Sequence, residues 1–340
     1  MYTTKLNNGA ATTVNSFQRL FITGGAGFIG SHLVERLVNH GFQLTIYDNL
    51  RRNSIKYTNL LQHPDVQFIK GDILDMALLK ESMANHGTVI HAAGIAGVSN
   101  YSKCSALTLK TNLIGTYHVL ESMLAHGIKR ILDFSTTEVF GPSAQDFNEE
   151  SLMQIGPPHD KRWCYAASKI AGEQLSTRYG EEHGLQAIII RPCNIYGPRQ
   201  VGEGAISNFC RNLTQNKKMT VEGDGTAIRT WCYIDDFVDI FIRIMNEDSI
   251  NIEAFNIGNP WTITSTYALA QAVLRQAKGV LSEEQETDYI ECKPMEWSEI
   301  KVRCLSIRKL ESRFNWMPKV GLEEGVSQTY LWFEDHYAEN

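Results

Sequence analysis

Tyr165 and Lys169, in the string YAASK, stand four residues apart at the start of a stretch of helical periodicity that runs to about His183. That interval puts both side chains on one face of a helix. A phenol with an ordinary pKa of about 10 is no base at neutral pH, but a neighbouring ammonium stabilises its phenolate. Upstream, the string DFSTTEVFG begins as a buried strand and ends in Ser135, Thr136, Thr137 and one acid, Glu138. Glu138 is either a reacting group or a structural carboxylate that caps the next turn or pairs with Lys161 or Arg162.

A second constellation lies near the start of the chain. FITGGAGFIGSH spaces Gly24, Gly27 and Gly30 between a first strand and a first helix. Such a turn lets backbone N–H groups and a helix N-terminus approach a pyrophosphate where any Cβ would obstruct it. The next strand ends at Asp48, eighteen residues beyond Gly30, where a carboxylate can accept hydrogen bonds from a ribose diol. Asp48 disfavours a ribose 2′-phosphate, so NAD is expected over NADP, although Arg51 and Arg52 follow closely and could pair with such a phosphate. The remaining candidates for the cofactor wall are Phe28 and Ile29 in the turn, Asn49 after Asp48, Asp72 and Ile73 in KGDILD, and Ala92 and Ala93 in HAAG.

These groups need a scaffold, and the apolar pattern supplies one. LFIT, QLTIY, VQFI, TVIHAA, RILDF and LQAIII alternate with helical stretches, of which the first carries Ile29, Leu33 and Leu37 on one face. That rhythm predicts an α/β fold, a parallel sheet covered on both faces, with a smaller C-terminal substrate-binding lobe. The expected division is a flexible tail over 1–18, a NAD-binding domain over 19–193, and a mainly substrate-binding lobe over 194–340 with segments near 235–260 returning to the sheet.

Composition excludes other classes. A formal charge of −6 and 43% hydrophobic residues describe an ordinary soluble globular chain, without the basic surface that nucleic acid or an anionic membrane would require. No run of eighteen apolar residues is present, and the polar start has no apolar signal-like stretch. Seven cysteines without a CxxC pair suit free thiols and a cytoplasmic location. No metal site is expected.

Gly24, Gly27, Gly30, Asp48, Thr136, Tyr165 and Lys169, followed by RPCNIYGPR and GDGTAIRTWCYIDD, resemble the extended short-chain dehydrogenase/reductase family of nucleotide-sugar epimerases, dehydratases and decarboxylases. The resemblance runs from about Arg19 to Phe333. It implies a Rossmann-type doubly wound sheet, bound NAD, a nucleotide-diphosphate sugar, UDP-linked by family habit, and oxidation of that sugar at C4. It makes Tyr165 the general base, Lys169 its tuner and ribose ligand, and Thr136 a hydroxyl that bonds the sugar oxygen. Asn194 and Arg229 match groups near the substrate diphosphate, and Arg303 falls where relatives place a late arginine that reaches the substrate. A homodimer formed through the helices near 107–126 and 165–183 is also implied.

Within that family the residues after the active hydroxyl vary with the reaction. Epimerases tend to read Ser-Ser-Ala-x-Val-Tyr-Gly and 4,6-dehydratases Ser-Thr-Asp-Glu-Val-Tyr-Gly, whose acid is replaced here by Thr137. UDP-glucuronate decarboxylases tend to read Ser-Thr-Ser-Glu-Val-Tyr-Gly, which Ser135 to Gly141 resembles most. The segments GVSNYSKCSALTLKTNLIGT and IGPPHDKRWCYAASK resemble decarboxylases as well. A UDP-glucuronate decarboxylase-like activity is therefore expected, with 4-epimerisation, 5,6- or 4,6-dehydration, and a non-catalytic NAD-binding scaffold or regulator as alternatives.

Overall fold

The computed structural model describes residues 18–97, 100, 103–295, 298 and 300–338, so the tail expected over 1–18 lies outside the described residues except for Gln18. In chain order the first half holds β1 (Arg19–Thr23), α1 (Phe28–Asn39), β2 (Gln43–Asp48), β3 (Val66–Lys70), α2 (Met76–Ser82), β4 (Thr88–His91), α3 (Ser105–Ala125), β5 (Arg130–Phe134), β6 (Ser143–Phe147), α4 (Trp163–His183) and β7 (Gln186–Pro192). The second half adds β8 (Ile195–Tyr196), α5 (Ala205–Thr214), β9 (Met219–Glu222), β10 (Ile228–Arg229), β11 (Cys232–Tyr233), α6 (Ile234–Met245), β12 (Ile252–Ile257) and β13 (Thr264–Ser265). It closes with α7 (Thr266–Lys278), α8 (Glu283–Glu286), β14 (Ile290–Lys293), β15 (Val302–Leu305), α9 (Arg308–Phe314) and α10 (Leu322–Tyr337).

Seven strands form one parallel sheet in the order β12-β7-β5-β4-β1-β2-β3. Their near-continuous apolar runs, such as AIII in β7, are buried on both faces, as a parallel sheet sandwiched by helices demands. α2, α3 and α4 pack together, while α1 packs with α6. The chain reverses strand order between β1 and β4, and ligands of such sheets bind outside the carboxyl ends of the strands at that switch point.

The second sheet, β13-β10-β15-β6, draws its edge strand β6 from the first half of the chain. β15 pairs in parallel with both β10 and β6, which sets Arg303 opposite Arg229. Since β6 follows the Thr136–Glu138 segment, the two sheets meet there. This junction positions Thr136, Glu138, Arg229 and Arg303.

Candidate active site

β1 ends in a turn so tight that alanine does not fit. Gly24 has φ +74°, and a Cβ there would lie 2.6 Å from the Ala93 nitrogen. At Gly30 a Cβ would lie 2.3 Å from the Gly24 carbonyl oxygen. Gly27 caps α1, whose first N–H groups therefore face the turn. Asp48, at the end of β2, accepts hydrogen bonds from the Ala26 N–H (3.0 Å) and the Leu50 N–H (2.7 Å). It thus fixes the turn while lining the cavity; burial raises its pKa, and those two bonds oppose the rise. Asn49 donates to Asp72 at 3.0 Å, Ile73 is buried against α3, and Ala92 and Ala93 hang from Thr23 through their N–H groups.

Across the cavity, Thr136 follows β5 and Tyr165 and Lys169 lie in the first two turns of α4. The Thr136 hydroxyl accepts a hydrogen bond from the Glu138 N–H at 3.2 Å and lies near enough to the Tyr165 phenol to draw its pKa down. Burial, and then the Glu138 charge, push that phenol well above its ordinary value, while Thr136, Arg52 and Arg303 pull it down. The Lys169 ammonium donates to the Phe134 carbonyl at 2.6 Å, and burial lowers its pKa against the opposing charges of Asp133 and Glu173.

Glu138 lies among guanidiniums. Its Oε1 is 3.7 Å from Arg162 Nη2 and 3.5 Å from Arg303 Nη1. Burial alone would raise its pKa, but Arg162, Arg303 and Arg229 outweigh burial and hold it below the usual carboxylate value. Glu138 is therefore a carboxylate at neutral pH. Arg229 donates to the Ile228 and Ile300 carbonyls at 2.8 and 2.5 Å, and burial beside two other arginines takes it down to about 10. Asn194, at φ +45°, donates to the Thr230 carbonyl at 2.8 Å. Arg303 is 3% exposed, and its Nε and Nη2 meet no partner among the described residues.

One cavity of about 670 Å³ is lined by every candidate named from the sequence: the glycine turn, Asp48 to Ala93 on one side, and Thr136, Glu138, Tyr165, Lys169, Asn194, Arg229 and Arg303 on the other. A family model described as the NAD dependent epimerase/dehydratase family matches residues 20–258. The chain belongs to that family. It is an enzyme of that family, and its cofactor is NAD. The residues fit this group: the turn leaves no room for a Cβ, α1 presents its N-terminus, and an acid ends β2. Arg51, which reaches Asn100, and Arg52, which donates to the Ala96 carbonyl at 2.6 Å, are both engaged elsewhere.

Among similar proteins, UDP-N-acetyl-alpha-D-glucosaminuronate decarboxylase of Bacillus cytotoxicus is 34% identical over 321 residues, which span 94% of this chain and 98% of that protein. UDP-glucuronic acid decarboxylase 1 of Arabidopsis thaliana is 31% identical, over 91% of this chain and 68% of that protein. Among solved structures, UDP-glucuronic acid 4-epimerase from Bacillus cereus, in complex with UDP-glucuronic acid and NAD, matches with a TM-score of 0.82 and 25% identity, covering 94% of this chain and all of that one (100%).

Two features of the site lay beyond the sequence reading. The sequence offers Arg162 as a structural partner for Glu138 and as part of a decarboxylase-like segment, but not as a site residue, although it lies three residues before Tyr165, an interval that shares a helix face. Glu173, one turn beyond Lys169, accepts from Arg191 Nε (2.9 Å) and Nη2 (2.6 Å) and from the Ser135 hydroxyl, tying α4 to β5 and β7 directly beneath Thr136. Its i, i+4 spacing from Lys169 was the available signal.

Proposed function

We propose that the enzyme decarboxylates a nucleoside-diphosphate-linked uronic acid, most simply a UDP-sugar, by way of a transient C4 ketone. One observation carries the reading: an ionised Glu138 beside two buried arginines, immediately next to the Thr136–Tyr165 pair. The names of similar proteins support it. In this reading Tyr165 takes the C4 hydroxyl proton once the positive charge of bound NAD and the Lys169 ammonium offset the burial and the Glu138 charge that otherwise hold its phenol neutral. NAD, when bound, accepts the C4 hydride and later returns it. The resulting 4-ketone makes the C5 carboxylate a β-keto acid; the C5–C6 bond breaks, CO2 leaves, and the electron pair moves to the C4 oxygen as an enolate. Thr136 and Tyr165 donate hydrogen bonds to that oxygen. A proton then adds at C5 before the ketone is reduced.

Thr137 argues against 4,6-dehydration. It stands where that reaction needs an acid, is 2% exposed, and turns its hydroxyl to the Pro192 carbonyl at 3.4 Å. A 4-epimerase is the second reading, favoured by the fact that Glu138 is already neutralised by its arginines. Incubation with NAD and UDP-glucuronate, its N-acetylglucosamine counterpart, UDP-glucose and UDP-N-acetylglucosamine, followed by NMR, separates these. UDP-pentose or its 2-acetamido analogue supports the proposal; epimerised uronate with the carboxylate intact overturns it.

The proposed assembly is a homodimer through α3 and α4, because Leu107, Ile114 and Tyr117 of α3 leave apolar surface exposed. Light scattering at micromolar concentration should give twice the chain mass, and a Tyr117→Glu chain should run as a monomer. No helix among the described residues is long and apolar enough to cross a membrane. A cytoplasmic location is part of the proposal, since none of the seven cysteines is in a disulfide.

A further inference from the structure

A guanidinium and a carboxylate that can approach each other favour a bidentate pair, with two parallel N–H···O bonds. Glu138 and Arg303 have that opportunity and do not take it. Only Nη1 of Arg303 approaches Glu138 Oε1, at 3.5 Å, while the Nε–Nη2 edge stays buried and unpartnered among the described residues. An orphaned edge of a charged group is costly unless something other than solvent completes it. What holds Glu138 back is visible on the other side: Arg162 Nη2 lies 3.7 Å from the same Oε1, and it comes from α4 whereas Arg303 comes from β15. The carboxylate is suspended between opposing cations. The remaining groups whose charge it feels or affects are Arg229 on β10 and Cys164 and Tyr165 on α4.

We propose that Arg162 is a positioning residue that draws Glu138 off the Nε–Nη2 edge of Arg303, keeping that edge open for the carboxylate of the sugar. The identity of this ligand group rests on the uronate reading above. The edge is a planar two-donor fork, which suits a carboxylate, and Arg303 lies close enough to Tyr165 to influence its phenol. A sugar whose C4 oxygen meets Tyr165 carries its C5 carboxylate on the adjacent carbon, within the same corner of the cavity. Arg229, with its guanidinium held on two backbone carbonyls, stays available to the diphosphate.

Removing Arg162 should let Glu138 collapse onto Arg303 and compete with the substrate. The test is calorimetric binding of UDP-glucuronate, UDP-glucose and UDP to the NADH-loaded protein, whose reduced cofactor cannot take the C4 hydride. Arg162→Gln is expected to weaken UDP-glucuronate by about tenfold or more while UDP and UDP-glucose stay within about twofold, since one charge-assisted contact is at stake. Adding Glu138→Gln to that variant should restore most of the uronate affinity, which a merely structural loss would not allow. Arg162→Lys keeps the charge and should retain most of the binding even where Arg162→Gln folds poorly. Unchanged uronate affinity in Arg162→Gln, an equal loss for UDP, or no rescue in the double variant overturns the proposal. Binding is read without turnover, so a wild-type protein that binds uronate and, when loaded with NAD, releases no CO2 refutes the decarboxylase reading alone.

Discussion

Gly30→Ala tests whether the turn after β1 is built for close approach of a pyrophosphate. A methyl at this position would lie 2.3 Å from the Gly24 oxygen and 2.7 Å from the Gly25 Cα, whereas ordinary contact begins at 3.4 Å. The closest contact therefore falls short by about 1.1 Å, and every obstructing atom is backbone, so no side chain can swing aside. Overpacking of this kind costs roughly 1–3 kcal/mol of stability. Moving the turn also removes at least one N–H bond to a charged phosphate, worth about 1.5–3 kcal/mol, or roughly a ten- to hundred-and-fifty-fold loss of NADH affinity. Gly172→Ala is the control: in α4 its methyl would meet Thr116 at an ordinary 3.7 Å, so stability should rise by up to about 1 kcal/mol with NADH affinity unchanged. Fluorescence titration of NADH and urea denaturation read both variants. If Gly30→Ala binds NADH as tightly as the wild type, the turn does not hold the pyrophosphate and the reasoning fails.

Other outcomes follow from the same geometry. Tyr165→Phe should retain NADH binding and lose about 10²- to 10⁴-fold in turnover, measured by steady-state kinetics; near-normal rates would remove Tyr165 from the chemistry. Glu138 has a folded pKa below its ordinary 4.5, so its contribution to stability is present above that value and is lost as pH falls through the folded pKa. The urea stability gap between wild type and Glu138→Gln should accordingly be widest near neutrality and close in acid; a gap that widens below pH 4.5 would contradict the arginine pairing. Glu173→Gln breaks an ion pair that is 5% exposed on both sides, and urea denaturation should show a loss of about 3–5 kcal/mol.

Much of the cofactor half was legible because its signals are local. Three glycines and an acid at fixed intervals act within one strand–turn–helix–strand unit, and the apolar runs that became β1 to β5 and β7 are short and uninterrupted. Tyr165 and Lys169 were legible by helical spacing, but the direction of the ammonium was not: it points to the carbonyl of Phe134, which belongs to β5. The meeting of Glu138, Arg162, Arg229 and Arg303 has no local signature. It depends on β15 inserting between β10 and β6, a pairing of segments far apart in the chain, and the string ECKPMEWSEIK before Arg303 gives no sign of it. Arg303 was therefore placed by resemblance, whereas its buried, open edge emerged only from the fold.

Loss of the sugar carboxylate defines the proposed reaction. Incubating the NAD-loaded protein with UDP-glucuronate carrying 13C at C6 and following the 13C signal is its most direct test. The label should move into CO2 and bicarbonate in step with formation of UDP-pentose. Label retained in the sugar, in UDP-galacturonate or in an unreduced keto-uronate, would contradict it.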